Sequence, residues 1–354
     1  MGGMEGMEAL FGMSRAQFRL GMHATPARNP GAQPRHTTPS RSRSARGRVR
    51  AQSPAGLLDQ NGRRIEAHTR APENPLTTPD LTLDHVVILV GDLEQAIAGY
   101  SELGFTVQRG GSHADGATHN ALVGFADGSY LELIAFIRPK PDHRWGGWAA
   151  RGHRGFIDYA LLPSSVGAVV DRARAAGLAY QGPFDGGRQR LDGELLRWQT
   201  GTPPTADLPF LCGDLTPRSL RVREGDVRRH ANGASGIASI SVLVADLPAS
   251  LDRYQVLLGA APVAPAVHVA AAGLWQAAFK LGPSWLVLVA AGIDSNHPQA
   301  SAWRQALAAS DGAVIGLTLH GGVAAALPRD KTQGAAIDIQ TAARAVAPPS
   351  VPSR

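Results

Sequence analysis

The chain reads as an α+β protein assembled from repeated strand–helix–strand–strand–strand units, and three observations predict this. The stretch from Leu83 to Phe136 opens with LDHVVILVGDLEQAIAGYSELGF and closes with NALVGFADGSYLELIAF. That is an apolar strand, a turn at Gly91-Asp92, a helix at 3.6-residue spacing, and later strands. The same order of elements recurs from about Gly155. Finally, GIASISVLVADLPASLDRYQVLLG aligns with TLDHVVILVGDLEQAIAGYSE-LG, with one residue inserted before the closing Gly. Self-similarity in fixed order points to duplication of a βαβββ unit.

Taken in order, residues 1 to about 78 are rich in Arg, Ser, Pro and Gly and carry no acid between Glu8 and Asp59. Such a composition cannot bury enough apolar surface to offset chain entropy, and disorder is expected. An organellar transit peptide, a mis-assigned start codon and an RNA-binding arm compete as explanations. The first unit follows. VVILV is apolar on both faces, as suits a strand covered on one side and lining a pocket on the other. Asp92 is placed to cap a helix whose Leu93, Ile97 and Tyr100 share one face. Gly104 ends that helix before a second strand at Phe105. In the second unit FIDYALL is a strand, SSVGAVVDRARAAG a helix capped by Ser, and ELLRWQT and DLPFLC are later strands. The connector DLTPRSLRVREGDVRRHANGA leads to the third unit, where Asp246, Tyr254 and Trp285 align with Asp92, Tyr100 and Tyr130. A fourth unit shows only as AVIGLTLHG and GAAIDIQ, with its helix shortened. The boundaries expected are 1–78, a domain at 79–215, a connector at 216–234, a second domain at 235–342 and a frayed tail at 343–354.

Composition narrows the function classes. Residues 1–75 hold twelve Arg against five acids, an excess of seven, while the whole chain carries +6. The body is therefore close to neutral at −1, which argues against a phosphate-binding groove and a nucleic-acid partner. The single cysteine, Cys212, rules out an intrachain disulfide and fits a reducing compartment. No apolar run approaches the roughly 20 residues needed to span a bilayer. A cytoplasmic location is expected, or a plastid or mitochondrion if the N-terminal segment is a transit peptide. No GxSxG nucleophile elbow and no GxGxxG at a strand–helix junction is present.

LDHVVILVGDL, GGSHADGATHNALV, DGSYLELIAF, LLRW, DLPFL and RHANGASGI, in this order, resemble the glyoxalase-like domain family. That family sits in the vicinal oxygen chelate superfamily with glyoxalase I, extradiol dioxygenases, methylmalonyl-CoA epimerase and the bleomycin resistance proteins. The resemblance covers about 85 to 340. It implies tandem βαβββ modules paired into cupped mixed β-sheets, two paired-module domains in all. It also implies a groove where His and Glu from the first and last strands hold a divalent ion.

On that pattern His85 and Glu132 fall at ligand positions, with Asp158 where module two would supply a His. The last strand of module two has no Glu, only Cys212 and Gly213. Ser239 and Val287 stand at the two positions in the third unit, so no metal is expected there. A hydrogen-bonded His–Glu pair without metal is the alternative at His85 and Glu132. His113 and His119, expected near each other across a hairpin, and Glu132 are the catalytic candidates. Asn120, Arg197 and Trp198 are the candidates for substrate contact. Trp145 and Trp148 form either a lid or packing over the sheet edge. The expected activity is an isomerase or lyase step using Zn, Fe, Mn or Ni on a small molecule with adjacent oxygens. An iron-dependent dioxygenase and a metal-free, cofactor-free small-molecule binder are the alternatives. Homodimer formation stays open.

Overall fold

A computed structural model of the chain describes residues 81–190, 192–292, 297–307 and 312–341; the expectations for the N-terminal segment and for the tail fall outside them. The first half forms one eight-stranded sheet. Its strands are β1 (Thr82–Leu89), β2 (Gln108–Ser112), β3 (Thr118–Gly124), β4 (Tyr130–Phe136), β5 (Gly155–Leu162), β6 (Gln181–Gln189), β7 (Leu195–Thr202) and β8 (Phe210–Asp214), in the order β2-β3-β4-β1-β5-β8-β7-β6. Three helices punctuate it: α1 (Leu93–Glu102), α2 (Gly146–Ala150) and α3 (Val166–Ala175). Within each βαβββ run the first and last strands pair in parallel, β1 with β4 and β5 with β8, while β1 and β5 meet antiparallel at the centre.

A short helix α4 (Arg218–Arg221) leads to the second, seven-stranded sheet. This comprises β9 (Gly236–Val244), β10 (Val267–Val269), β11 (Leu274–Leu281), β12 (Ser284–Ala291), β13 (Gly312–Gly321), β14 (Ala325–Ala326) and β15 (Ile337–Thr341). Helix α5 (Leu247–Leu258) follows β9, and α6 (Pro298–Leu307) precedes β13. Among the described residues no helix lies between β13 and β15. Nor is any described helix long and apolar enough to cross a membrane. Both sheets are curled and mixed, an α+β architecture.

Local chemistry sets the helix starts. Asp92, Ser165 and Asp246 each take an extended conformation and accept the backbone N–H three residues on, filling a donor the helix cannot satisfy itself. One correction concerns the second strand, which begins at Gln108. Phe105 is instead buried beside Tyr100, ring centroids 5.8 Å apart.

Strand alternation then sorts the faces. Val86 and Ile88 join Leu93, Ala96 and Tyr100 in a core that also holds Ile240, Val242 and Tyr254 of the second half. The Tyr159 and Tyr254 hydroxyls bond each other, and Arg253 pairs with buried Asp207 at 2.7 Å. His230 and Asn232, in RHANGASGI, tie the connector to the first half through Gly124 O, the Thr106 amide and Leu103 O. The helix-bearing faces of the two sheets therefore share one core, and the opposite face of the first sheet is left to form a cup.

The cup closes where its edge strands meet. His113 and Arg188 form an antiparallel backbone bridge, and the Ala114 amide donates to Gly187 O at 3.2 Å. Gly111 permits this: its φ is +134°, and a Cβ there would lie 2.7 Å from Gln189 O.

Candidate functional site

The cup is organised around Glu132, the one charged residue of YLELIAF, at 6% exposure. β4 lies between β3 and β1, which brings three side chains to its carboxylate. Asn120 Nδ2 donates to Oε1 at 2.6 Å, His85 Nε2 stands 3.4 Å from Oε2, and His113 Nε2 stands 3.6 Å from Oε1. Each imidazole is oriented through its other nitrogen: His85 Nδ1 lies 2.8 Å from Asp84 Oδ2, and His113 Nδ1 lies 2.7 Å from Thr118 Oγ1. The His85 ring stacks on Tyr130 at 4.5 Å and meets Phe210 edge-on at 5.4 Å. Adjacent strand residues normally point to opposite faces. Here the β1–β5 register slips between Leu83 and His85, and the irregularity at Asp84 lets its carboxylate reach the neighbouring imidazole.

A buried ion network supports Asp84. Arg221 donates to Asp84 Oδ2 at 2.8 Å, to the Tyr130 hydroxyl at 2.6 Å and to both Asp214 oxygens, while Arg218 reaches Asp84 Oδ1 at 2.6 Å. Burial would raise the Asp84 pKa, but Arg221 and His85 overcome it and hold the carboxyl far below the usual range.

The two imidazoles are pushed in opposite directions. Burial works against a charge on His85, yet the hydrogen bonds to Asp84 and Glu132 prevail and raise its pKa above 6.5. Burial also dominates at His113, only partly offset by Glu132, and lowers its pKa below 6.5. Glu132 itself is held at about 2, because His85, His113 and Asn120 outweigh its burial. The site therefore sets a carboxylate between one imidazole whose charged form is favoured and one whose neutral form is favoured.

These groups open onto a cavity of about 290 Å³. Tyr130, Trp145, Trp198 and Phe210 give it an apolar wall, and Arg188 and Arg221 add guanidinium groups. The Trp198 ring meets His113 edge-on at 6.3 Å. It lies where a Cβ on Gly186 would sit, so that glycine makes room for the wall.

Of the residues expected from the sequence, His85, His113, Asn120, Glu132 and Trp198 come together here. Asp158 does not. Its Oδ2 accepts from Arg144 Nε at 2.7 Å and Trp145 Nε1 at 2.9 Å, which corrects its placement beside His85 and Glu132. His119 is likewise corrected. On β3 it lies between Thr118 and Asn120, both of which face the cavity, so alternation turns it away; His113 meets Thr118 instead. Arg197 is exposed, on the face of β7 opposite Trp198 and Thr200. Trp145 lines the cavity and Trp148 packs beside it. The sequence reading missed Asp84, Tyr130, Arg188 and Arg221. Only Asp84 carried a signal, as a charge inside LDHVV.

The donor set implied for a divalent ion is not assembled. Among the described residues no group of three or more His, Cys, Asp or Glu side chains is placed to hold a metal. Glu132 Oε1 is engaged by Asn120, Asp158 is drawn off by Arg144, and burial pushes the Cys212 thiol up to about 12.

Two curled mixed sheets in βαβββ order, the first enclosing a cavity in its cup, define a protein of the vicinal oxygen chelate superfamily. Within it, residues 83–258 match the glyoxalase-like domain family and form a domain of that family. A hypothetical protein from Staphylococcus aureus has a similar structure, with 13% identity and a TM-score of 0.57. The match covers 74% of this chain and all of that one. A variant of 4-hydroxymandelate synthase from Streptomyces coelicolor is similar at 15% identity and TM-score 0.50, over 69% of this chain and 72% of that one. A methylmalonyl-CoA epimerase from Streptomyces coelicolor matches 38% of this chain at 20% identity and TM-score 0.31. No curated protein matches the sequence. At these identities the structural likenesses speak for the fold alone.

Proposed function

We propose that the cup of the first sheet binds a small molecule and moves a proton on it, as an isomerase or lyase step requires. His113 serves as general base, and the Nε2–H of protonated His85, 3.4 Å from Glu132, is shared with the oxygen that gains charge. The observation that carries this reading is the splitting of two imidazoles around one carboxylate, His85 raised and His113 lowered. Groups whose environments drive their pKa values apart supply an acid and a base at one pH. Asp84 keeps His85 in one orientation, and Glu132 holds both rings.

The test is C–H exchange in D2O, followed by proton NMR, on a panel of carbonyl compounds with an acidic C–H beside the carbonyl. Exchange that depends on the protein and disappears in His113→Gln supports the reading. Exchange that survives His113→Gln at the full rate overturns it. Stoichiometric metal in the purified protein, lost in both His85→Ala and Glu132→Ala, would also overturn it in favour of a metal-dependent reaction. A second reading, binding without chemistry, draws on the four aromatic rings of the wall; it predicts saturable binding with no exchange.

A further inference from the structure

Among the described residues, Arg188 is the one buried charge of the cup without an ion pair. It sits on β6 in the polar run QGPFDGGRQ, yet only 4% of it is exposed. Its Nη1 donates to Gly110 O and its Nη2 to Arg221 O at 3.4 Å. Both acceptors are backbone carbonyls, and a guanidinium has five N–H donors. The carboxylates around it are already committed. Glu132 faces His85, Asp84 and Asp214 are matched by Arg218 and Arg221, and Asp115 is paired with Lys140 at 2.9 Å. Asp185 is exposed at the rim and accepts from Gln199 at 3.1 Å. Glu132 is met by Asn120 and His85 and makes no ion pair with Arg188. A buried cation without a counter-charge is costly, and Arg188 lines the cavity.

We propose that the ligand of this cavity is a small apolar-bodied carboxylate whose anionic group is held by Arg188. This rests on the reading of the cup as the ligand site and adds the chemical class of what it takes. The planar fork of Arg matches a carboxylate. A single guanidinium without an ion pair matches a monoanion, whereas a phosphate dianion brings one negative charge more than it can balance. Trp145, Trp198 and Phe210 provide the wall for the apolar body.

The experiment compares phenylacetate with its neutral isostere phenylacetamide, and with inorganic phosphate, by calorimetric titration of the full chain. The expected result is that phenylacetate binds at least about tenfold more tightly than phenylacetamide, roughly the worth of one charge-assisted hydrogen bond. In Arg188→Gln that ratio collapses towards one while the amide still binds. Arg188→Lys, which keeps the charge but loses the fork, retains part of it and serves should the Gln variant fail to fold. Equal binding of acid and amide overturns the anion assignment and leaves the cup standing as a ligand site. An acid preference that persists in Arg188→Gln overturns the role of Arg188. Phosphate binding more tightly than phenylacetate overturns the carboxylate class. Binding of none of the three overturns the inference, and with D2O exchange also absent the reading of the cup falls with it.

Discussion

The two sheets make the same scaffold do different things. In the first, Tyr130 stands across from His85 and Glu132 across from Val87; in the second, Trp285 stands across from Ser239 and Val287 across from Ser241. The offsets are the same and the chemistry is not. Where the first cup holds two imidazoles and a carboxylate, the second holds Val269, Leu274, Ala278, Val287 and Val289, with Trp285, Trp303 and Ile315 packed against them. Helix α6 carries Trp303 onto that face. The second face keeps some polar groups: the Ser241 and Thr318 hydroxyls and the Gln276 amide are buried without hydrogen-bond partners among the described residues, and Asp338 stands beside Thr318 on β15. A curled sheet of this design thus folds without the His–Glu pair. What holds His85 and Glu132 in the first sheet is the ion network behind them.

The comparison can be broken most forcefully at Arg221. Arg221→Met strips the buried Asp84 and Asp214 of their main partner and should cost about 3–5 kcal/mol of stability, read by denaturant unfolding. A loss under about 1 kcal/mol would show that the network is not what supports the cup. Next in size is conversion of the first site towards the second. Glu132→Val leaves His85 and Asn120 without their acceptor and should cost about 1–3 kcal/mol, while the double change His85→Ser/Glu132→Val should recover part of that loss. Strict additivity of the two changes would deny the coupling.

A smaller effect concerns pH. His85 has a raised pKa, so its contribution to stability is complete below its ordinary value of 6.5 and fades as pH rises through the higher folded value. Glu132 contributes above its ordinary 4.5, and the contribution is lost as pH falls through about 2. His113 has the opposite sign to His85: its lowered pKa makes the unfolded chain the better proton acceptor, so it weakens folding as pH falls below 6.5. His113→Gln should therefore flatten the loss of stability between neutral and mildly acidic pH, measured by thermal melts across that range. The smallest effect is at His119. His119→Ala should change stability by no more than about 0.5 kcal/mol and leave ligand binding untouched; a loss of binding would contradict its placement on the face turned away from the cavity.

What could be read from the chain follows from how local each feature is. Helix caps at Asp92, Ser165 and Asp246 act over three residues and were visible as such. Glu132 stood out because a carboxylate in an apolar strand must find partners. Adjacent candidates were harder: for His119 and Asn120, or Arg197 and Trp198, alternation admits one of each pair, and the sequence does not say which. Arg188 and Arg221 were invisible for another reason. Their burial depends on contacts 78 and 137 residues away, with Gly110 and Asp84. Those contacts exist only once the cup has closed and the connector has docked. Asp158 was drawn by pattern to the wrong partner, since Arg144 and Trp145 reach it from the loop that carries α2.

The most direct test of the central claim is an NMR titration of the imidazole rings, with His85→Gln and His113→Gln used to assign the two resonances. The account predicts that the His85 ring stays protonated above pH 6.5 while the His113 ring stays neutral below it. Two rings that both titrate near 6.5 would contradict it.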